Sequence, residues 1–210
     1  MQIIHKYFLF FLFLVPSFIF SQNDSIKYSR DFIFNDGVFK TFAEFKNDSP
    51  SIKTFIVKKP SPLSDPNYII IECSVIDSNE ISKKYDLNEC WGYCYRGDVY
   101  ISHAFYSYYF RLMTIGSLCH YYGLTNMRSP TAFGNPVEPG ISFGQDYQQF
   151  MLDFETGLTQ LFNYKNFSNF LKIKDNELYQ ELILEKKKKK VIYKYLLKYN
   201  ERHPIYFKDV

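Results

Sequence analysis

Cys119 and His120 are adjacent, and a thiol beside an imidazole is the pairing that nucleophilic catalysis uses. The residues around them alternate between apolar and polar as a strand does, and neighbours on a strand project to opposite faces of its sheet. The pair is therefore expected to be a core cysteine next to a surface histidine, unable to hydrogen-bond each other. His103 and His203 are the remaining histidines beyond the leader. None of the three falls in a His-x-His or His-Glu-x-x-His spacing, and no Cys-x-x-Cys occurs, so no metal and no cofactor is expected. Gly-x-Gly-x-x-Gly and Gly-x-x-x-x-Gly-Lys-Ser/Thr are absent too, which removes the commonest nucleotide-binding signatures. No residue is assigned a catalytic role. Paired carboxylates of a glycoside hydrolase need not be near in sequence, so a hydrolase of a cell-surface polymer stands as the alternative to a non-enzymatic protein. A cleft with two facing carboxylates, or with His103 or His120 beside an acid, would favour the enzyme.

The four cysteines, Cys73, Cys90, Cys94 and Cys119, form an even set, which an oxidising compartment would let pair as two disulfides by three connectivities. Cys73 and Cys119 lie inside apolar runs, where a buried thiol behaves as a small hydrophobe. On one straight strand Cys90 and Cys94 would be about 13 Å apart, well beyond the roughly 5.5–6 Å between Cα atoms of a disulfide. A local bridge between them requires a bend at Gly92. The same segment, Trp91 to Ile101, is two aromatic and β-branched runs around Gly97-Asp98, a β-hairpin. Arg96-Gly97-Asp98 puts an adhesion-type tripeptide at its tip, although Gly-Asp is already explained as turn chemistry. Trp91 and Arg96 are the candidate ligand contacts; the competing reading of Trp91 is plain core packing.

Elements that would hold these residues can be read along the chain. Thr41-x-x-Glu44 is a capping box for a short helix that must stop before Pro50, with Phe42 and Phe45 on one face. Strands are expected over Lys53–Lys58 and Tyr68–Ile76, the latter with Ile69, Ile71, Cys73 and Val75 as a core row. Tyr108 to Tyr122 alternates throughout, with a bulge or bend at Gly116. Residues 123–146, rich in proline and glycine, form a loop lining any site. Tyr147–Phe154 and Leu158–Phe162 make another hairpin over Glu155-Thr156-Gly157. The period then changes: Phe167, Phe170 and Leu171 suit a short helix, Asp175 caps a second bearing Leu178 and Leu182, and Ile192, Tyr195, Leu196 and Tyr199 mark a third that ends before His203-Pro204. Lys186–Lys190 cannot share one helical face and read as an exposed turn. Strands first and helices last, without βαβ alternation, argue α+β.

The amino terminus sets the compartment. His5-Lys6, an apolar run from Tyr7 to Phe20 and a polar turn at Ser21-Gln22-Asn23-Asp24 form a secretory signal pattern. The run is shorter than the roughly 20 residues that span a bilayer. Cleavage is expected between Ser21 and Gln22, leaving an exported chain, periplasmic or secreted, with no transmembrane segment. Of the 210 residues, 20% are aromatic, and only seven of the aromatic residues leave with the leader, so the excess belongs to the folded part. Residues 22–164 carry 12 basic and 16 acidic side chains, net −4, and residues 165–210 carry 12 and 6, net +6. An exported chain meets little nucleic acid, so no nucleic-acid partner is expected. The basic end is read as a solvated face, with contact to acidic envelope polymers or lipid headgroups as the sharper alternative.

The leader ending Phe20-Ser21-Gln22, Asn35-Asp36-Gly37-Val38-Phe39 followed by Phe42-x-x-Phe45-x-x-x-x-Pro50, Trp91-Gly92-Tyr93, Asp153-x-x-Thr156-Gly157 and Lys198-Tyr-Asn-Glu-Arg-His-Pro204 together resemble an uncharacterised secreted protein family of Bacteroidota. The resemblance implies an exported protein of low-GC bacterial origin and brings no catalytic residues with it. The expected organisation is a signal peptide over 1–21 and a single α+β domain over 22–210, mainly β over 22–164 and helical over 165–210. Its antiparallel, aromatic sheet is able to curl toward a barrel, with one short helix early and the carboxyl-terminal helices packed on it. The function expected is binding or structural, with an unknown envelope or extracellular partner.

Overall fold

The computed structural model describes residues 25–58, 70–72, 74–76, 82–84, 90–102, 109–124 and 147–208. In chain order the elements are β1 (Ser25–Lys27), β2 (Gly37–Phe39), α1 (Phe42–Lys46), β3 (Ile56–Lys58), β4 (Ile70–Glu72), β5 (Ser74–Ile76), β6 (Ser82–Lys84), β7 (Gly92–Tyr95), β8 (Asp98–Ser102), β9 (Tyr109–Thr114), β10 (Leu118–Leu124), β11 (Tyr147–Asp153), β12 (Thr159–Leu161), α2 (Tyr164–Lys174), α3 (Asn176–Leu184), α4 (Lys188–Arg202) and β13 (Tyr206–Lys208). Seven strands form one antiparallel sheet in the order β12-β11-β10-β9-β8-β7-β2. The fold is α+β as expected. The sheet stays open, because its edge strands β12 and β2 do not pair with each other, so it is not a barrel. Cys73, His103, the leader and residues 125–146 of the expected loop lie outside the described residues.

Local chemistry explains the expected elements that formed. The Thr41 hydroxyl accepts from the Glu44 amide and so caps α1. The Glu44 carboxylate reaches one residue further back than a capping box requires, accepting from the Lys40 amide at 2.8 Å and from the Ser51 amide at 3.2 Å. Asp175 caps α3 by accepting from the Leu178 amide. The three-residue turn between α3 and α4 takes Glu185, Lys186 and Lys187, and the last three lysines of the run open α4.

Four expectations about the elements are corrected. The run from Tyr108 to Tyr122 is not one bent strand: the chain reverses at Gly116, and β9 pairs antiparallel with β10. A Cβ at Gly116 would lie 2.4 Å from the Asn200 side chain, which in turn accepts from the Leu118 amide and donates to the Leu118 carbonyl. The reversal is thus fixed from α4, 84 residues away. The β7–β8 turn is Arg96–Gly97, both at positive φ (55° and 78°), and Asp98 already belongs to β8. The run over Tyr68–Ile76 divides: β4 pairs with β3, and β5 pairs with β6 instead. The carboxyl end is not wholly helical either, since β13 returns to pair with β1.

The two faces of the sheet are covered differently. Phe39, Cys94, Ile101, Phe110, Cys119, Tyr121 and Leu152 project to one face, where Phe34, Phe45, Phe154 and Phe207 complete a continuous core. On the other face α2, α3 and α4 cover the β10–β12 side through Leu118, Met151, Phe167, Leu171, Leu182 and Leu196. The β2–β7–β8 side of that face carries a separate cluster of Val38, Ile52, Cys90, Tyr93, Tyr100 and Tyr109. Aromatic side chains recur in all three clusters, and each buries a large apolar area.

Candidate functional site

The helix-covered half ends along a seam where β9 and β10 meet α4. Cys119 and His120 project to opposite faces of β10, as the alternation requires, but His120 is not at the surface: it is 2% exposed. Among the described residues its ring has three aromatic neighbours, all edge-on, Tyr122 at 5.3 Å, Phe162 at 5.2 Å and Tyr193 of α4 at 5.4 Å between centroids. Nε2 lies 2.9 Å from Oε1 of Gln149 on β11. With Nε2–H donating to that oxygen, Nδ1 is a buried acceptor, and it has no hydrogen-bond partner among the described residues. Burial holds the imidazole below its ordinary pKa, against the opposing pull of the Gln149 bond. The ring is a neutral group in an aromatic setting, and it has an amide, not an acid, beside it.

Above this buried ring the seam is partly open. Tyr122 is 42% and Tyr193 41% exposed, and the Tyr193 hydroxyl lies 2.9 Å from the Thr114 hydroxyl. Met113 and Leu197 are also exposed, and so is Gln149. The seam therefore combines two tyrosine faces with hydroxyl and amide groups. The chain matches no family model, no curated protein and no solved structure. Chemistry on the chain itself must carry any functional reading.

The residues singled out from sequence are not brought together. Trp91 stacks on Phe45 at 4.7 Å with 18° between planes and packs against Phe39 and Phe42. Arg96, exposed at the far end of β7, lies over the Tyr95 ring at 5.1 Å. Cys94 and Cys119 are free thiols in the main core, whereas Cys90 is buried in the tyrosine cluster on the opposite face. Burial pushes Cys119 up to about 12. Burial and the neighbouring Asp36 carboxylate also push Cys94 far up. Neither thiol is a ready nucleophile.

His203 does have an acid beside it, with Nε2 3.0 Å from Asp175 Oδ2. That carboxylate also caps α3 and pairs with Arg202. Burial disfavours its ionisation, yet the bonds from Leu178, His203 and Arg202 outweigh this and hold it below the usual carboxylate range. Ser117 is close, but its hydroxyl donates to the His203 carbonyl and not to the ring. The set ties the end of α4 to the start of α3 and to the β9–β10 turn; it lacks the nucleophile-to-base bond of a triad. Among the described residues no three of His, Cys, Asp and Glu are grouped to hold a metal ion. A hollow of about 560 Å³ lies beside α1, lined by Asn35, Glu44, Asp48, Lys53 and Lys208 among others. Its two carboxylates already accept bonds from Asn35, Lys40 and Ser51.

Sequence reading did not find Tyr122, Gln149, Phe162 or Tyr193. A signal was present for one part of the seam. With Ile192, Tyr195, Leu196 and Tyr199 assigned to the core face of α4, Tyr193 and Leu197 are an apolar pair four residues apart on the flank, where solvated residues are expected.

Proposed function

We propose that the protein is an exported, non-enzymatic domain of the envelope or extracellular space that binds its partner along the tyrosine seam over His120. Export rests on the basic head, short apolar run and polar junction at Ser21–Gln22, and the resemblance to secreted proteins of Bacteroidota agrees with it. The observation that carries the binding reading is the pair Tyr122 and Tyr193, each about two-fifths exposed and each set edge-on to the same buried ring. Tyrosine faces held rigid by packing, with hydroxyl and amide groups at their margin, suit a ligand that presents an apolar ring face and polar edges, as sugars do. Among the described residues His120 has Gln149 and aromatic rings beside it and no acid, which favours this reading over hydrolysis of a surface polymer.

Cell fractionation with amino-terminal sequencing tests export: a mature chain beginning at Gln22 is expected, and a cytoplasmic, full-length chain overturns it. Calorimetric titration with soluble cello-, chito- and malto-oligosaccharides tests the seam. Binding that weakens at least tenfold in Tyr122→Ala and Tyr193→Ala is expected. Release of new reducing ends during the titration would establish the hydrolase, and no binding across the panel would overturn the sugar reading.

A further inference from the structure

The end of the helical layer farthest from Asp175 carries a surface that the seam does not involve. Leu184, the last residue of α3, is 83% exposed. Lys186, Lys187, Lys188, Lys189 and Lys190 follow it, all exposed. Five consecutive lysines cannot share a helical face, but here the run begins in the turn and ends in the first turn of α4. At the end of a helix, residues around the whole circumference reach the same outer plane, so the constraint that would scatter them along a helix does not apply. Lys188 Nζ lies 5.6 Å from the Tyr164 ring centroid, which sets the start of α4 beside the start of α2 and adds exposed Lys165 to the same end.

The acidic side chains that precede the run, Glu181 and Glu185, do not balance its five positive charges. The Glu185 carboxylate accepts from the Tyr195 hydroxyl at 3.1 Å, and Glu181 is held by Lys198 and Arg202 at 2.9 and 2.6 Å. Among the described residues, Lys186, Lys187, Lys189 and Lys190 form no ion pair. A solvated lysine run needs no large apolar side chain exposed beside it. An exposed leucine beside flexible cations is instead what an anionic bilayer surface accommodates, with ammonium groups at the phosphates and the isobutyl group among the acyl chains.

We infer that the α3–α4 turn is a docking surface for anionic lipid headgroups, with Leu184 entering the bilayer and Lys165 and Lys186–Lys190 holding the phosphates. The inference is independent of the tyrosine seam and of any ligand bound there. The test is co-sedimentation of the purified protein with vesicles of phosphatidylcholine containing 30 mol% phosphatidylserine, against vesicles of phosphatidylcholine alone.

Binding to the anionic vesicles alone is expected, lost in 0.5 M salt because exposed charges are screened. It should weaken at least tenfold when Lys186, Lys187, Lys189 and Lys190 are together replaced by glutamine. Leu184→Ser should weaken vesicle binding severalfold while leaving retention on heparin unchanged. These side chains are exposed, so circular dichroism should stay at the wild-type signal and the melting temperature should not fall, and loss of fold would not mimic the result. Failure to bind anionic vesicles at low salt overturns the inference. Leu184→Ser with unchanged vesicle affinity overturns it too, and identifies the surface as a general polyanion site.

Discussion

The Asn35 backbone amide donates to both oxygens of the Asp48 carboxylate, at 3.0 and 3.2 Å, while the Asn35 side chain donates to Asp48 Oδ2 and to the Asp48 carbonyl, each at 3.0 Å. Asp48 is 4% exposed and sits at φ 46° just past α1, a left-handed conformation that aspartate tolerates. The contact fixes where the chain leaving α1 meets the segment entering β2. The next residue, Asp36, accepts from the Gly97 amide at 3.2 Å and from the Cys94 thiol at 3.5 Å. Asn35-Asp36 is thus a double clamp that joins α1 to the β7–β8 hairpin tip.

Burial pushes the Asp48 carboxyl up to about 6, against the lowering effect of the Asn35 bonds. A carboxyl raised in the folded state binds its proton more tightly there than in the unfolded chain. Its contribution to stability is therefore full below about pH 4 and is lost as the pH rises through 6. Asn35→Ala removes one donor from the carboxylate and one from the Asp48 carbonyl while the backbone bonds stay, and the carboxylate bond is worth more to the charged form, so it should cost about 2 kcal/mol at pH 7 and less at pH 5. Urea unfolding at the two pH values measures the difference; an equal loss at both would show that the bonds do not discriminate between the protonation states.

His120 has the opposite sign. Its folded-state pKa is lowered by burial, so the unfolded chain takes up a proton that the folded protein resists. Its contribution is full above about pH 6.5 and is lost as the pH falls below that value. His120→Leu should abolish this acid-side loss. It should also leave stability at pH 7 unchanged or higher by up to about 1 kcal/mol, because it removes the buried Nδ1 that lacks a partner. Melting temperatures of both proteins between pH 5 and 7.5 read the two slopes directly.

Backbone geometry at the hairpin gives a third prediction. Two left-handed residues at Arg96–Gly97 match the two-residue turn that prefers Asn-Gly. Arg96→Asn should stabilise the fold by about 0.5–1 kcal/mol even though it gives up the stacking on Tyr95. Gly92→Ala should do the reverse, because its Cβ would stand 2.4 Å from the Tyr100 carbonyl oxygen, which belongs to the paired strand and cannot step aside. A cost of at least about 3 kcal/mol is expected from displacing β7 against β8. Guanidinium unfolding midpoints of the two variants should move in opposite directions.

Features with a local cause were legible, and those fixed from a distance were not. Thr41, Asp175 and the 155–157 turn act within a few residues of themselves, and each does in the structure what its chemistry suggested. The reversal at Gly116 depends on Asn200, and the burial of His120 depends on Phe162 and Tyr193. Nothing near those residues in sequence announces the partner. The β1–β13 pair joins residues 25–27 to 206–208 through short strands whose side chains are mostly exposed, so no apolar alternation could signal it. Trp91 looked available for a ligand for the same reason: its stacking partner, Phe45, is on a helix 46 residues earlier.

The lysine run at the start of α4 also makes a stability prediction. Lys187 occupies the N-cap without a side-chain bond to the helix, and the first turn holds no acidic residue. Cations there oppose the positive end of the helix dipole and repel one another, where an acidic residue would be favourable by about 0.3–1 kcal/mol. Lys189, exposed and in no ion pair among the described residues, is the position where the change disturbs least. Lys189→Glu should raise stability by about 0.5–1 kcal/mol in low salt, and the gain should shrink in 0.5 M salt as screening removes both the repulsion and the dipole term. Thermal unfolding at the two ionic strengths measures it. A salt-independent gain would assign the effect to helix propensity, and a loss would show that the cations are stabilised in the folded state by a contact other than the Tyr164 stacking of Lys188.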